Sequence, residues 1–326
     1  MTQRKGTISV QTADILPIIK KWLYSEHDIF IRELVANSTD AITKRATLAR
    51  TLNQEIPTGS IKVNVNKDNK TISITDNGLG MTEEEVEKYL AHLAFSGAEE
   101  FVKKMEEAGT ETNNDIIGKF GLGFYSSFMV ADKVMVETLS MNEGATATKW
   151  TCEGETDYTF EDSTKTEVGT TITLFVNEES AEFLDSFKLQ STLRNHCDYM
   201  PYPIGVLDEL AEPVKPLKED GTVDEAAEAR PVEATIINET QPIWKKDPKE
   251  LTDDDYKAFY RKQFPTDGDP LFWIHLNVDH PFTLEGVLFF PKIDKNRPFN
   301  DSNIRLYCKQ VFVSDSVKNI IPDFLS

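Results

Sequence analysis

Short segments in which apolar and polar residues alternate constrain most strongly how this chain can fold. Such alternation predicts β-strands with one buried face. It occurs in a predicted hairpin over residues 61–74 and in four later segments, Val134–Leu139, Thr146–Cys152, Asp157–Phe160 and Thr170–Val176. Helical patterns are interleaved with them, over residues 14–24, 25–50, 82–94, 124–130 and 185–199. Helices that alternate with antiparallel strands predict an α+β fold, built as a two-layer α/β sandwich.

The chain has 326 residues, which is enough for two domains. Its composition changes between residues 208 and 230, where the sequence is acidic, contains prolines and has few large apolar residues, as in a linker. Further strands are predicted over residues 271–278, 283–290 and 304–312. We therefore predict three regions: an N-terminal domain over 1–207, an acidic linker over 208–230, and the first part of an α/β domain over 231–326.

The formal net charge of −20 argues against a function on nucleic acid or on anionic membranes, since both are negatively charged. Cys152, Cys197 and Cys308 are widely spaced and show no disulfide or metal-binding pattern. The first twenty residues lack the apolar core of a signal peptide, and no run approaches the length that crosses a membrane. We expect a cytoplasmic protein with reduced thiols.

The predicted helix over residues 25–50 carries a polar stripe. Glu33, Asn37, Asp40 and Lys44 are spaced by four, three and four residues, so at about 100° per residue they share one face. A stripe of this kind is by itself more often a solvated surface with ion pairs than a binding site.

Asp76 is the first residue of a second candidate feature. It ends a predicted strand and is followed by Gly78 and Gly80, which would let the backbone approach a flat ligand closely. Its carboxylate can accept a hydrogen bond from an exocyclic amino group such as that of adenine. The same residues also fit an ordinary turn before a capped helix.

A glycine-rich segment, with Gly118, Gly121 and Gly123, directly precedes the apolar stretch over residues 124–130. Glycines before a helix expose backbone N–H groups, and a helix N-terminus favours anions. The spacing differs from those of the P-loop and of the dinucleotide-binding fingerprint. Gly169-Thr170 begins a predicted strand. By itself this pair indicates no function, and it becomes informative only together with the other three elements.

These four elements occur together in one order, and together they resemble the motifs of GHKL ATPases. The similar segments are ELVANSTDA (Glu33–Ala41), DNGLGMT (Asp76–Thr82), IGKFGLGFYSSFMVA (Ile117–Ala131) and GTTITLF (Gly169–Phe175). The resemblance is closest to the Hsp90 branch, especially to its bacterial members. It continues into segments that resemble the start of the Hsp90 middle domain: Pro242–Trp244, Tyr256–Tyr260, Leu288–Lys292, Ile304–Tyr307 and Val311–Ser326.

The resemblance implies a sandwich of the GHKL (Bergerat) type with a site for ATP or ADP and Mg²⁺. It implies that Glu33 is the general base, that Arg32 orders the catalytic helix, and that Asn37 holds Mg²⁺. It also implies that Asp76 binds the adenine amino group, assisted by Thr170 through water. The other implied ligand-binding residues are Asp40 and Lys44 on the sugar and base side, Gly80 near the base, Met81 and Phe124 as apolar walls, and Gly118, Gly121 and Gly123 around the phosphates.

The resemblance further implies an ATP-dependent chaperone of the stress response that acts on unfolded or partly folded client proteins as a homodimer. ATP would close a lid over about Ala94–Gly123 and promote pairing of the N-terminal domains, and hydrolysis would reset the cycle. Two departures concern the lid, because Tyr89 and Phe95 stand where relatives often carry Asn and Lys. The arginine that the middle domain supplies to the γ-phosphate would lie beyond Ser326, so we expect this chain alone to bind nucleotide with little turnover.

Other functions stay open on the residues. A GHKL ATPase that works on DNA is disfavoured by the net charge. A histidine kinase would need a phosphoacceptor histidine before the ATP domain, and the first histidine of the chain is His27. A nucleotide-binding module without significant turnover is the third alternative.

Overall fold

The computed structural model describes residues 27–91, 101, 117–118, 122–154, 157–215, 227–280, 283–292 and 304–314. The chain forms two compact units, Met1–Asn238 and Glu239–Ser326. The helix predicted over 14–24, the candidate residues Gly121 and Phe95, and most of the expected lid lie outside the described residues.

The first unit is built on an eight-stranded mixed sheet. Its strands are β1 (Ile61–Asn66), β2 (Thr71–Asp76), β3 (Ala131–Leu139), β4 (Thr148–Cys152), β5 (Tyr158–Asp162), β6 (Gly169–Val176), β7 (Ile204–Asp208) and β8 (Thr235–Ile236). They lie in the order β5-β4-β3-β6-β2-β1-β7-β8. All neighbours are antiparallel except β1 and β7, which are parallel. The predicted hairpin over 61–74 is β1 and β2, joined by a turn in which Lys70 has a φ of 51°.

Three α-helices of this unit are described: α1 (Ile29–Thr51), α2 (Glu83–Leu90) and α3 (Ser186–Cys197). Thr82 and Glu85 form a reciprocal capping box that begins α2. The apolar stretch predicted as a helix over 124–130 is a buried 3-10 helix, Gly123–Met129, and a further 3-10 turn spans Ala181–Leu184.

The core lies between one face of the sheet and the helices α1 and α3. Inward residues of the strands alternate with half-buried ones, as in β2, where Ile72, Ile74 and Asp76 are buried and Thr71, Ser73 and Thr75 are not. Phe30, Leu34 and Val35 of α1 and Leu189 and Leu193 of α3 supply the apolar residues of the helical layer. Burial of one sheet face against helices confirms the α+β two-layer sandwich.

The second unit contains α4 (Asp253–Gln263) and the strands β9 (Phe272–Val278), β10 (Leu284–Phe290), β11 (Leu306–Cys308) and β12 (Val311–Ser314). Short 3-10 turns at Ile243–Lys245 and Pro248–Glu250 precede α4. Tyr256 of α4 stacks on Trp273 of β9 with 5.1 Å between ring centroids, and its hydroxyl lies 2.7 Å from His275 Nδ1. Aromatic packing and this hydrogen bond hold the helix against the β9–β10 hairpin.

The single strand predicted over residues 304–312 is wrong. The segment is a tight hairpin, in which β11 and β12 are joined by a turn at Lys309 and Gln310. Both turn residues have left-handed backbones, with φ of 52° and 67°. Lysine and glutamine rarely adopt that conformation, so the sequence carries none of the usual signals of a turn.

No helix within the described ranges is both long enough and apolar enough to span a membrane.

Candidate functional site

Glu33 is half-buried on α1, and its neighbour Arg32 holds its side chain. Arg32 donates to Glu33 Oε1 from Nη2 at 2.7 Å and from Nε at 3.2 Å. The two side chains are 22% and 23% exposed, so the pair is within reach of solvent. The other oxygen, Oε2, lies beside Gly123, where a Cβ would come within 2.5 Å of it. Only glycine at position 123 leaves the carboxylate in this place.

Asn37 follows Glu33 by one turn of α1 and is half-buried. A Cβ at Gly118 would lie 3.3 Å from Asn37 Oδ1, so the backbone of the glycine-rich segment passes close to this amide oxygen. No group of three or more His, Cys, Asp or Glu that could hold a metal occurs within the residues described. A single amide oxygen fits a Mg²⁺ ion that takes its remaining ligands from phosphate and water.

Asp40, one turn further along α1, is only 5% exposed and holds the start of the glycine-rich segment. Its Oδ1 accepts from the amide of Ile117 and its Oδ2 from the amide of Gly118, both at 2.7 Å. Backbone amides are strong partners for a buried carboxylate. Asp40 therefore ties residues 117–118 to α1, and this contact places Gly118 next to Asn37.

Lys44 continues the same face of α1 and is largely buried. Loss of hydration lowers the pKa of its ammonium group, and the carboxylates of Asp40 and Glu85 oppose that effect. The ammonium lies 5.7 Å from the centroid of the Phe101 ring. The polar stripe predicted from the sequence is thus a real face of α1, on which the Asp40 carboxylate acts electrostatically on the Lys44 ammonium group.

Asp76 stands at the carboxyl end of β2 and faces α1. Its Oδ1 accepts from the backbone N–H of Gly78 at 2.8 Å. Burial raises the pKa of this carboxyl from 3.8 to about 6, although hydrogen bonds from Gly78, the Ser38 hydroxyl and the Thr170 amide and the charge of Lys165 oppose the rise. The carboxylate therefore joins α1, β2 and β6, and near neutral pH it is an ionised acceptor inside the fold.

The glycines after Asp76 allow a close approach between the loop and its surroundings. A Cβ at Gly78 would come within 2.5 Å of the Ala41 side chain of α1. Gly80 has a φ of 63°, and a Cβ there would overlap the carbonyl oxygen of Leu139. The next residue, Met81, is half-buried and donates its N–H to Thr138 Oγ1 at 2.9 Å. Both glycines are thus required by the packing of the loop.

Thr170 lies directly opposite Asp76 in the β2–β6 register and is buried. Its hydroxyl is 3.0 Å from that of Thr138, which lies opposite it on β3. Phe124 is also buried, and it packs edge-on against Trp150 with 5.8 Å between ring centroids. Tyr89 lies half-buried in α2.

The structure thus brings the predicted residues together along α1 at two places. We name the first place the base end, after the contacts predicted from the sequence, and it contains Asp76, Thr170, Met81 and Gly80. We name the second place the phosphate end for the same reason, and it contains Glu33, Arg32, Asn37, Asp40, Gly118 and Gly123. Sequence reasoning missed two polar contributors to the base end, Ser38 and Thr138. Neither stands in the polar stripe or beside a glycine, so only the packing of α1 on the sheet and the strand register reveal them.

Comparisons with known proteins agree on one family. A family model described as "Histidine kinase-, DNA gyrase B-, and HSP90-like ATPase" matches residues 24–180, and one described as "Hsp90 protein" matches residues 218–326. The chaperone protein HtpG of Bacteroides fragilis is 46% identical over 323 residues, 99% of this chain and 45% of that protein. HtpG of Porphyromonas gingivalis is 46% identical over 325 residues, with the same shares of 99% and 45%.

A more distant relative, the chaperone protein HtpG of Geobacter metallireducens, is 35% identical over 335 residues, which is 100% of this chain and 51% of that protein. The chain therefore spans about half the length of the curated relatives it matches.

Proposed function

Because this chain belongs to the Hsp90 family, we propose that it is the ATP-binding part of an ATP-dependent molecular chaperone. One observation carries the proposal. A buried carboxyl, Asp76, faces α1 beside Thr170, and the same helix carries Glu33 and Asn37 further along. A candidate acceptor for a base and a candidate catalytic carboxylate thus lie on one helix and on the sheet that it covers.

The base end has the chemistry to select adenine. A carboxylate offers about four acceptor positions, and Gly78, Ser38 and Thr170 already direct donors at Asp76. An exocyclic amino group is a donor and suits the remaining position. Guanine presents a carbonyl oxygen at the corresponding carbon, which the carboxylate would repel. We assign Asp76 to the adenine amino group, Thr170 to a water-bridged contact with the base, and Met81 and Gly80 to its walls.

The phosphate end would hold Mg·ATP through oxygen and backbone groups. Asn37 Oδ1 would ligate Mg²⁺, which would neutralise charge on the phosphate oxygens. Gly118 and Gly123 let the backbone lie close to Asn37 and Glu33, as close packing around phosphates requires. Asp40 would position the amides of Ile117 and Gly118. Three further assignments rest on the resemblance alone: Lys44 on the sugar and base side, Gly121 around the phosphates and Phe124 as an apolar wall.

Glu33 would act as the general base in hydrolysis. Arg32 donates both of its hydrogen bonds to Oε1, so the carboxylate is oriented with Oε2 beside Gly123. A water held at Oε2 could give up its proton to the carboxylate as it attacks the γ-phosphate. Arg32 is a positioning residue in this scheme, because its contacts go to Glu33.

For the whole protein we propose the cycle that the resemblance implies. ATP binding would close a lid over about Ala94–Gly123 and drive N-terminal dimerisation, because ATP binds the closed state more tightly than the open one, and hydrolysis would reset the cycle. Unfolded or partly folded proteins would be the clients of the homodimer. The chain spans 45% of its Bacteroides relative, and we propose that it binds nucleotide by itself with little turnover.

We also propose that the protein acts in the cytoplasm and binds neither nucleic acid nor membranes. The net charge of −20 supports this proposal, since phosphate backbones and anionic headgroups would be repelled. Salt-sensitive binding of duplex DNA would instead favour a DNA-directed member of the wider ATPase superfamily.

Glu33→Ala tests the assigned chemistry. In the full-length protein we expect ATP turnover to fall by at least about 100-fold, since a positioned base contributes roughly that much. Calorimetric binding of Mg·ADP should stay within about threefold, because the carboxylate acts on water and leaves ground-state binding to other groups. Glu143→Ala, an exposed glutamate in a turn, is the matched control and should leave both quantities unchanged. Unchanged turnover in Glu33→Ala would refute the role of Glu33.

A further inference from the structure

We propose that Thr138 is a positioning residue of the nucleotide site, which fixes the hydroxyl of Thr170 and the backbone of Met81 at the base end. The identity of the ligand rests on the function proposed above. Thr138 lies outside every glycine-containing motif and outside the polar stripe of α1. Its assignment comes from contacts and register alone.

The hydroxyl of Thr138 joins three segments that are distant in sequence. Its side chain is fully buried on β3. Oγ1 accepts the N–H of Met81 at 2.9 Å, lies 3.0 Å from Thr170 Oγ1, and donates to the carbonyl of Gly169 at 3.3 Å. Thr138 is therefore bonded both to the loop that follows Asp76 and to the strand that carries Thr170.

Strand register places these groups in one row across the sheet. Thr138 on β3 is the partner of Thr170 on β6, and Thr170 is the partner of Asp76 on β2. All three are buried on the face that packs against α1. Thr138 thus supports the base end from the neighbouring strand, one strand away from Thr170 and two strands away from Asp76.

The Thr138 hydroxyl limits the hydrogen bonds that the Thr170 hydroxyl can make. A threonine hydroxyl has one proton to donate and two lone pairs. One lone pair accepts from Met81, and the Gly169 carbonyl can only accept. When the Thr138 proton goes to Gly169, Thr170 must donate to Thr138 and presents lone pairs to the ligand. When it goes to Thr170 instead, the Thr170 proton points elsewhere. In the first case Thr138 fixes the direction of the Thr170 O–H bond, and in the second it occupies one of the two Thr170 lone pairs.

Thr148 provides a control within the same sheet. It lies directly opposite Thr138 on β4, and it is only 4% exposed. Within the described part of the chain its hydroxyl has no hydrogen-bond partner. Residue type, burial and sheet face are therefore matched, and the two positions differ in what the hydroxyl contacts.

The test is calorimetric titration of Mg·ADP into the native chain and into threonine-to-valine variants. Thr138→Val keeps the shape of the side chain and removes the hydroxyl, which leaves the Met81 N–H without its partner, so we expect binding about tenfold weaker. Thr138→Ser keeps the hydroxyl and should stay within about threefold. Thr148→Val should stay within about twofold, because no hydrogen bond is lost there.

A double-mutant cycle with Thr170→Val separates positioning from packing. If Thr138 acts through Thr170, the double variant should bind no more than about threefold more weakly than the weaker single variant. The proposal would be overturned if the fold losses of affinity in Thr138→Val and Thr170→Val multiplied in the double variant, because the two residues would then act independently. Equal losses in Thr138→Val and Thr148→Val would also overturn it, since they would indicate a general cost of altering buried threonines.

The two proposals fail in different ways. A native chain that does not bind Mg·ADP would overturn the proposed function, and this inference with it. A native chain that binds, with Thr138→Val binding equally well, would overturn the inference alone. If Thr138→Val does not fold, amide hydrogen exchange decides, since the Met81 N–H should be protected in the native chain and in Thr138→Ser. Exchange of that amide at the rate of an unstructured peptide would overturn the proposal.

Discussion

The base end and the phosphate end of the candidate site are built in opposite ways. Asp76, Thr170 and Thr138 are 5%, 6% and 0% exposed, and strand register fixes all three. Glu33 and its partner Arg32 are 23% and 22% exposed and stand on one side of α1. The base end depends on pairings across three strands. At the phosphate end, the Glu33–Arg32 pair is within reach of solvent.

This difference in burial predicts different effects of substitutions at the two ends. A buried acceptor has its geometry set before ligand arrives, so it can recognise a base with little reorganisation. The partly exposed Glu33–Arg32 pair would instead be able to adjust to a ligand. Changes at the base end should therefore cost folding stability and affinity together, and changes at the phosphate end should cost turnover first.

Gly80→Ala should have the largest effect on stability. Its φ is 63°, and the added Cβ would overlap the backbone of Leu139. We expect a loss of about 4 kcal/mol or more in the free energy of unfolding, because backbone must move to relieve the overlap. Gly144→Ala is the matched control, with a φ of 78° and nothing within 4 Å. Gly144→Ala should lower the free energy of unfolding by about 1 kcal/mol, which is the cost of a left-handed backbone for alanine without any steric overlap. Equal losses in urea unfolding would show that the base end is not rigid.

The pKa of Asp76 predicts two effects of opposite sign. Burial raises this pKa from 3.8 to about 6, so the group's contribution to stability is full below pH 4 and is lost as pH rises through 6. Without ligand, the difference in unfolding free energy between Asp76→Asn and the native chain should therefore shift by about 2 kcal/mol in favour of the variant from pH 4 to pH 7. Native binding of Mg·ADP should instead weaken about tenfold from pH 7 to pH 5, as the acceptor is protonated.

Urea unfolding of the native chain and of Asp76→Asn, together with titration of Mg·ADP into the native chain, tests that pair of effects at several pH values. A native affinity that does not change between pH 5 and pH 7 would contradict the use of the Asp76 carboxylate as the acceptor. A stability difference that does not change with pH would contradict its burial.

Gly123→Ala should have the smallest effect on stability and so sharpens the contrast. The added Cβ would come within 2.5 Å of Glu33 Oε2, which is the end of a flexible, partly exposed side chain. That side chain can swing away, so we expect a change within about 0.5 kcal/mol in the free energy of unfolding. Turnover in the full-length protein should nevertheless fall by about tenfold or more, because the carboxylate is displaced. Unchanged turnover would show that the position of Oε2 is not critical.

Local signals predicted most of the fold. The α+β sandwich followed from alternation because the strands are buried on one face only, and Thr82 with Glu85 marked the start of α2. The β11–β12 turn was missed because Lys309 and Gln310 adopt left-handed backbones that the sequence does not signal. Local spacing likewise brought Glu33, Asn37 and Asp40 to one helix face.

Long-range contacts at the candidate site could not be predicted in this way. Asp40 binds amides that lie 77 and 78 residues away, and Thr138 meets Met81 across 57 residues. No periodicity encodes such pairs, since they depend on strand register and on the packing of α1. The partners of Asp40 and of Thr138 could therefore be identified only from the folded chain.

The most direct test of the central claim, that a base binds at Asp76, is calorimetric titration of Mg·ADP into the native chain and into Asp76→Asn at pH 7. Asp162→Asn, an exposed aspartate at the end of β5, makes the same change of charge away from the site. We predict saturable binding in the native chain and in Asp162→Asn, and its loss in Asp76→Asn. Equal binding by all three would contradict the account, because the base would then lie elsewhere.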